Sequence, residues 1–247
     1  MSKNPLKLKI AYLYPDILES FCDRANVEAF KYRANLRDVE VNIYEINDYE
    51  KISASKYDFY YIGGSNTSSL EVALGHLEKN KDELMVAAAA GVPMLAVNCG
   101  YQLFGNYYQL HNKTRIEGIK ILDVDSIASR KHIFGNVTGI CHFLKNKTIA
   151  GFENHRIVTY LKANTTPFLT ITKGKGNNGE DKTEGARYKN VYASYSHGPL
   201  LPKNPKFCDE ILKVALTRKY GKCELAPLDD TLELNAAHFM EARLKKG

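Results

Sequence analysis

What most narrows the fold open to this chain is a rhythm in its first half, where strand-length apolar runs alternate with stretches of helical periodicity. LKIAYLY, VEVNIYEI, YDFYYIGG and VPMLAVN read as strands. DILESFCDRANVEAFKYRANLR and SSLEVALGHLEKNKDELMVAAAAG, with apolar residues at helical spacing, separate them, and Gly91 stops the second. Strands that return through helical crossovers pair in parallel, so the rhythm predicts an α/β fold with a mostly parallel sheet flanked by helices. Ligands of such sheets bind beyond the carboxyl ends of the strands. Two of those ends are the turns at Gly63-Gly64 and Asn98-Cys99.

The second half reads differently. IKILDV, RKHIFGNVTGIC, KTIAGFENHRIVTYL, PFLTITKG and KNVYASYSHG are β-rich and joined by Gly and Asn turns, GYQLFGNYYQL opens a helix, and GKGNNGEDKTEGARYKN is a polar loop too charged for a core. No repeat or linker divides the 247 residues, which predicts one domain over 1–247 with a helical tail from about residue 206. No apolar stretch approaches the roughly 20 residues that span a bilayer, and the basic N-terminus has no signal-peptide pattern, so a cytoplasmic location is expected. Cys22, Cys99, Cys141, Cys208 and Cys223 are odd in number and scattered, without a C-x-x-C pair or Cys/His cluster. Neither a disulfide framework, a metal nor a cofactor is expected. The net charge of +6 is spread without a stripe of interleaved aromatics, which argues against nucleic acid.

Within GVPMLAVNCGYQLFG an apolar strand runs straight into a turn and a helix, the geometry that exposes a nucleophile beside a helix N-terminus. Cys99 is the reactive residue type there, and His197, at the end of the apolar segment YASYSHG, is the candidate base. Each has a plainer reading alone: a small buried cysteine beside a glycine is commonly packing, and a lone strand-end histidine commonly structural. The residue at the tip of the turn is either Asn98 or Cys99, and the two choices imply different chemistry.

Beyond these residues, YIGG, CGYQLFG, GFENH, GNNGEDKTEG and YKNVYASYSHGPLLPKNP together resemble the GatD-like branch of the CobB/CobQ-type class I glutamine amidotransferases, from the first strand to about residue 216. The resemblance implies a three-layer, flavodoxin-like sheet. It also implies a glutaminase subunit that forms a heterodimer with MurT, a Mur-ligase-like protein, in amidation of the peptidoglycan precursor lipid II. In that family a thiolate attacks the glutamine amide and a histidine shuttles protons. His197 matches the family histidine, and Pro199 stands where other class I enzymes carry an acid, as in this branch.

The nucleophile does not carry over. The family pattern is C-G-G-aromatic-Q; here the glutamine is Gln102, and four residues before it stands Asn98. Cys99 falls on the family's first glycine, about 100° further round the helix, a large displacement when reacting atoms must meet within about 3.5 Å. The family's Gly-rich turn G-G-G-x-D-x-x-Q is reduced to GGSNTSSL around Gly63 and Gly64. The arginine that holds the substrate carboxylate three residues before a glycine is replaced by His132, with Arg130 two positions early. A histidine lacks the bidentate guanidinium fork. Gly63, Gly64, Gln102, Arg130 and His132 are therefore the candidate substrate-binding residues.

Three readings follow. The chain is a GatD-like subunit that has lost glutamine hydrolysis and persists as a binding or scaffold partner of a MurT-like ligase; or an active glutaminase using Cys99 and His197, with glutamine held by Arg130; or a protein with a different ligand or reaction in the altered pocket. The GatD-specific segments argue against a cobyric-acid role. Their polar, loop-like character suggests recognition rather than core support.

Overall fold

The computed structural model describes residues 5–18, 23–47, 50–65 and 68–245. Cys22, Asn66 and Thr67, all within segments read above, lie outside the described residues. In chain order the elements are β1 (Leu6–Leu13), α1 (Pro15–Leu18), α2 (Arg24–Asn35), β2 (Val39–Ile46), β3 (Phe59–Ile62), α3 (Ser68–Glu78), α4 (Lys81–Ala89), β4 (Met94–Val97), α5 (Cys99–Phe104), β5 (Tyr107–Gln109) and β6 (Arg115–Glu117). Then follow β7 (Val124–Cys141), β8 (Lys147–Leu161), β9 (Leu169–Lys173), β10 (Thr183–Glu184), β11 (Ala186–Tyr188), β12 (Val191–Ser194), β13 (Ser196–His197), α6 (Leu200–Lys203), α7 (Pro205–Tyr220) and α8 (Thr231–Lys245).

Six strands form the first sheet in the order β11-β12-β4-β3-β1-β2, parallel throughout except for the edge strand β11. The inner strands β3 and β4 are apolar without alternation because both faces are buried, whereas the edge strand β2, VEVNIYEI, alternates. Ile10, Tyr12, Phe59, Tyr61, Leu95 and Val97 face one core with α2 and α7. Their neighbours Ala11, Leu13, Tyr60, Ile62, Met94 and Ala96 face the other core with α3, α4 and α5. The period of two assigns successive side chains to opposite layers. Each large side chain withdrawn from water contributes roughly 1.5–3 kcal/mol. The second sheet, built on the long β7–β8 hairpin, is mostly antiparallel and carries β9, β10, β5, β6 and β13.

The elements depart from the sequence reading where β10 and β11 form within the segment read as a polar loop, and in three further places. The helix expected over 68–91 is broken between α3 and α4 at Asn80. The side chain of this buried asparagine accepts from Ile52 N at 2.8 Å and donates to Glu50 O at 2.8 Å, so a tertiary contact overrides local propensity. The helix opened by GYQLFG ends at Phe104, because Gly105 lies where a Cβ would sit 2.9 Å from Val124 Cγ2, and β5 begins at Tyr107. IKILDV is strand only from Val124; Ile119 N and Leu122 N bond back to Leu103 O and Phe104 O at the end of α5. No described helix is long and apolar enough to cross a membrane.

Candidate active site

β4 delivers Asn98 to the tip of the strand-to-helix turn. Its φ of 51° and ψ of −113° lie outside the regions ordinary L-residues occupy, strain that costs on the order of 1–3 kcal/mol and gathers at functional turns. The turn is held from two sides. Asn98 N donates to Ser194 O at 3.0 Å, at the end of β12, and Gly100 N donates to Gly63 O at 3.1 Å, in the turn after β3. Two glycines admit this packing. A Cβ on Gly64 would meet Asn98 Cβ at 2.4 Å, and one on Gly100 would meet Ile62 Cγ2 at 2.8 Å. Asn98 is buried, and its Nδ2 has no hydrogen-bond partner among the described residues. One turn along α5, Gln102 is buried too, with Oε1 likewise unpartnered. Native interiors pair nearly all such atoms, so a ligand or water at this end of the sheet would complete them.

Cys99 turns away from the tip. Its thiol donates to Ser65 O at 2.6 Å and packs in the core beneath the turn. Burial pushes its pKa up to about 11, and the charge of Asp23 adds to the rise against the Ser65 hydrogen bond. A thiol in that range is almost wholly protonated near pH 7, the reverse of an activated nucleophile. Asp23 also accepts from Gly64 N at 2.9 Å, so the amide of the glycine beside Asn98 is engaged within the protein.

His197 ends β13, where the chain has left the parallel sheet and pairs with β8 opposite Phe152. Its ring stands edge-on to Phe152, centroids 5.9 Å apart. Burial, with the Lys203 charge second, lowers its pKa to about 4, so the imidazole is neutral near pH 7 but a weaker base than an ordinary histidine. Asn98 and His197 thus stand at the carboxyl ends of adjacent chain paths, β4 and β12–β13.

The strand bearing His132 and Arg130 is irregular. Between the pairs Ala128↔Ile157 and Ile133↔His155 the register shifts, leaving Ser129–His132 opposite Arg156 alone. Arg130 and His132 are both exposed in this bulge, where Arg156 Nη1 donates to Arg130 O at 3.2 Å and His132 Nε2 bonds Asn154 Oδ1 at 2.8 Å. An aromatic path, His132 to Phe134 to Phe152 to His197, runs with centroid steps of 5.4, 5.0 and 5.9 Å from bulge to site. The bulge displaces side chains in a way that counting residues back from Gly135 does not register.

The polar motifs prove to be architecture, which corrects the expectation that they have no core to support. Gly151 of GFENH lies where a Cβ would sit 2.5 Å from Ser196 Cβ. Glu153, buried, accepts from Lys175 N and Gly176 N at 2.8 and 2.7 Å. His155 stacks on Tyr195 at 4.1 Å. In the polar loop, Asn177 bonds Thr183 Oγ1, Gly185 O and Gly185 N, each at 2.9 Å, and accepts from Tyr101 OH of α5 at 3.3 Å. Glu184, in the loop whose polar character suggested recognition, is fully buried. In HGPLLPKNP, Asn204 exchanges two hydrogen bonds with Ala150. Asp23, Glu184 and Ser194 were missed as site-supporting residues. Asp23 lies inside the stretch read as one helix and nothing there marks it, just as nothing in the charged loop marks Glu184 as buried.

A three-layer α/β sheet with a strained turn after β4 and a buried histidine on the adjoining path defines a class I glutamine amidotransferase-like protein. The sequence profile of the CobB/CobQ-like glutamine amidotransferase domain matches residues 9–205, and the chain belongs to that family. Among its relatives is the GatD subunit of the glutamine-hydrolysing lipid II isoglutaminyl synthase of Staphylococcus aureus, 35% identical over 240 residues, 97% of each chain. The corresponding subunit of Streptococcus pneumoniae is 29% identical over 94% of this chain and 90% of its own. A crystal structure of a glutamine amidotransferase from Thermotoga maritima superposes with a TM-score of 0.53 at 15% identity, covering 97% of this chain and 94% of that one, a likeness of fold.

Proposed function

We propose that this chain is a GatD-type subunit that works in the cytoplasm with a MurT-like Mur ligase in amidation of lipid II, as a single amidotransferase-like domain whose own glutamine hydrolysis has been lost. The kinship with GatD subunits along nearly the full chain supports the first part. One observation carries the second: the residue held at the strained tip is Asn98, while the neighbouring thiol of Cys99 is bonded to Ser65 O and held protonated by burial. A carboxamide offers no thiolate to attack an amide carbon, and His197 is left a base without an acid to deprotonate. The exposed His132 supplies no guanidinium for a substrate carboxylate. The ligase would then draw on free ammonia, with this chain as its binding or scaffold partner.

The test is amidation by the chain purified with its organism's Mur-ligase-like protein, supplied with either glutamine or ammonium. Turnover with ammonium only, unchanged by Cys99→Ser, is expected. Asn98→Cys with His132→Arg should restore more glutaminase than either change alone, as groups acting together do. Glutamine-dependent turnover that Cys99→Ser abolishes would establish Cys99 as nucleophile and overturn the proposal. Failure of the two proteins to associate at micromolar concentration would remove the partner.

A further inference from the structure

We infer that Glu184 is the positioning residue for His197, acting through Ser194 and Tyr195 at the point where the chain passes from one sheet to the other. The inference does not depend on the fate of glutamine hydrolysis. β12 belongs to the parallel sheet and β13 to the antiparallel one, and only Tyr195 separates them. A chain that changes sheets within one residue leaves backbone groups without ladder partners. Glu184 supplies them: its Oε1 accepts from Tyr195 N at 2.7 Å and from Ser194 Oγ at 3.1 Å. Ser194 Oγ in turn accepts from Ser196 N at 2.9 Å, one residue before His197. Ser194 O receives Asn98 N from the opposite side, so one residue touches both halves of the site.

The approach of Glu184 is itself arranged. Gly185 adopts φ +63°, and a Cβ there would lie 2.1 Å from Ala193 O, so only glycine lets this strand close on β12. Asn177 clamps Gly185 through both its N–H and its carbonyl. A fully buried carboxylate is expensive to retain unless it is hydrogen-bonded, and the hydrogen bonds of the Glu184 carboxylate come from Ser194, Tyr195 and the backbone of Ser196, the three residues that lead to His197. Burial raises its pKa to about 7, so it serves as an acceptor in either protonation state near neutrality.

The readout is the titration midpoint of the His197 imidazole, followed by NMR in the full chain. Lys203 from α6 and His155 and Glu153 from β8 stay in place in every variant. Releasing the crossing in Glu184→Ala should let water reach the ring and lift its midpoint from about 4 toward the ordinary histidine value of about 6.5. Glu184→Gln keeps an acceptor for Tyr195 N and a polar partner for Ser194 Oγ, and should hold the midpoint near the parent value. Should Glu184→Ala fail to fold, Ser194→Ala, which removes the hydroxyl but leaves the carboxylate, decides the matter by a smaller upward shift. A general loss of stability leaves the folded-state midpoint where it was. An unshifted midpoint in folded Glu184→Ala, or in Ser194→Ala where that variant alone folds, overturns the inference. So does a Glu184→Gln variant that behaves as the alanine does.

Discussion

Asn98 sits in a backbone conformation that suits a nucleophile's turn better than an asparagine's preferences. The Gly64 contact makes its strain measurable. Asn98→Gly removes both the positive-φ strain and a buried unpaired amide, and although glycine adds unfolded-chain entropy, a net gain of about 1 kcal/mol is expected. Gly64→Ala in the parent drives a Cβ against Asn98 Cβ and should destabilise by about 2 kcal/mol. In the Asn98→Gly background that contact no longer exists, and the same change should cost well under half as much. Urea unfolding of the four proteins of this cycle gives the coupling; strictly additive effects would mean that the two residues do not press on one another. The turn itself was legible in the sequence because an apolar run, a turn residue and a Gly-containing helix start are local features. The partner of the Cys99 thiol was not, since it is the carbonyl of Ser65, a residue on another loop.

Among the elements, the inner strands of the parallel sheet were readable because burial on both faces leaves nothing but apolar residues, as Met94–Val97 and Phe59–Ile62 show. The polar loop before β12 was misjudged for a physical reason: composition reports charge but not whether a charge has found partners. Asn177 illustrates it, an asparagine among lysines and acids that proves fully buried, tying the loop to α5. Asn177→Ala orphans Tyr101 OH and both backbone groups of Gly185. It should lower stability by about 2–4 kcal/mol, whereas Glu180→Ala on the same loop, exposed, should fall within about 0.5 kcal/mol of the parent. Equal effects of the two in urea unfolding would show the loop to be loosely attached. Helix boundaries were lost for a related reason, since Asn80 ends α3 in favour of a distant backbone.

At the scale of the whole molecule, buried titratable groups around the site pull stability in opposite directions with pH. Glu184 keeps its proton to about pH 7 in the folded chain, whereas an ordinary glutamate releases it at about 4.5. Between those values the folded state binds more protons, so this group's contribution falls as pH rises through the window. Glu153, also raised by burial, acts in the same sense. His155 and His197, lowered to about 4 by burial, bind fewer protons folded than unfolded up to about pH 6.5, and their contribution grows as pH rises through that range. Glu184→Gln removes one falling term and leaves the rising ones. Its stability should therefore gain on the parent between pH 4.5 and 6.5, by an amount on the order of 2 kcal/mol, measured as the change in urea midpoint with pH. Parallel pH profiles for the two proteins would show that Glu184 is ionised throughout that range.

The bulge in β7 has a consequence for chain length. Ser129–His132 occupy the space opposite a single residue, and beyond them pairing resumes at Ile133↔His155 and runs to Cys141↔Lys147. Such a segment works as slack in an otherwise taut hairpin: adding or removing a residue there alters the size of the loop without sliding the strands it joins. Insertions and deletions should therefore collect at this point among homologous chains, while the distance from Ile133 to the end of the strand stays constant.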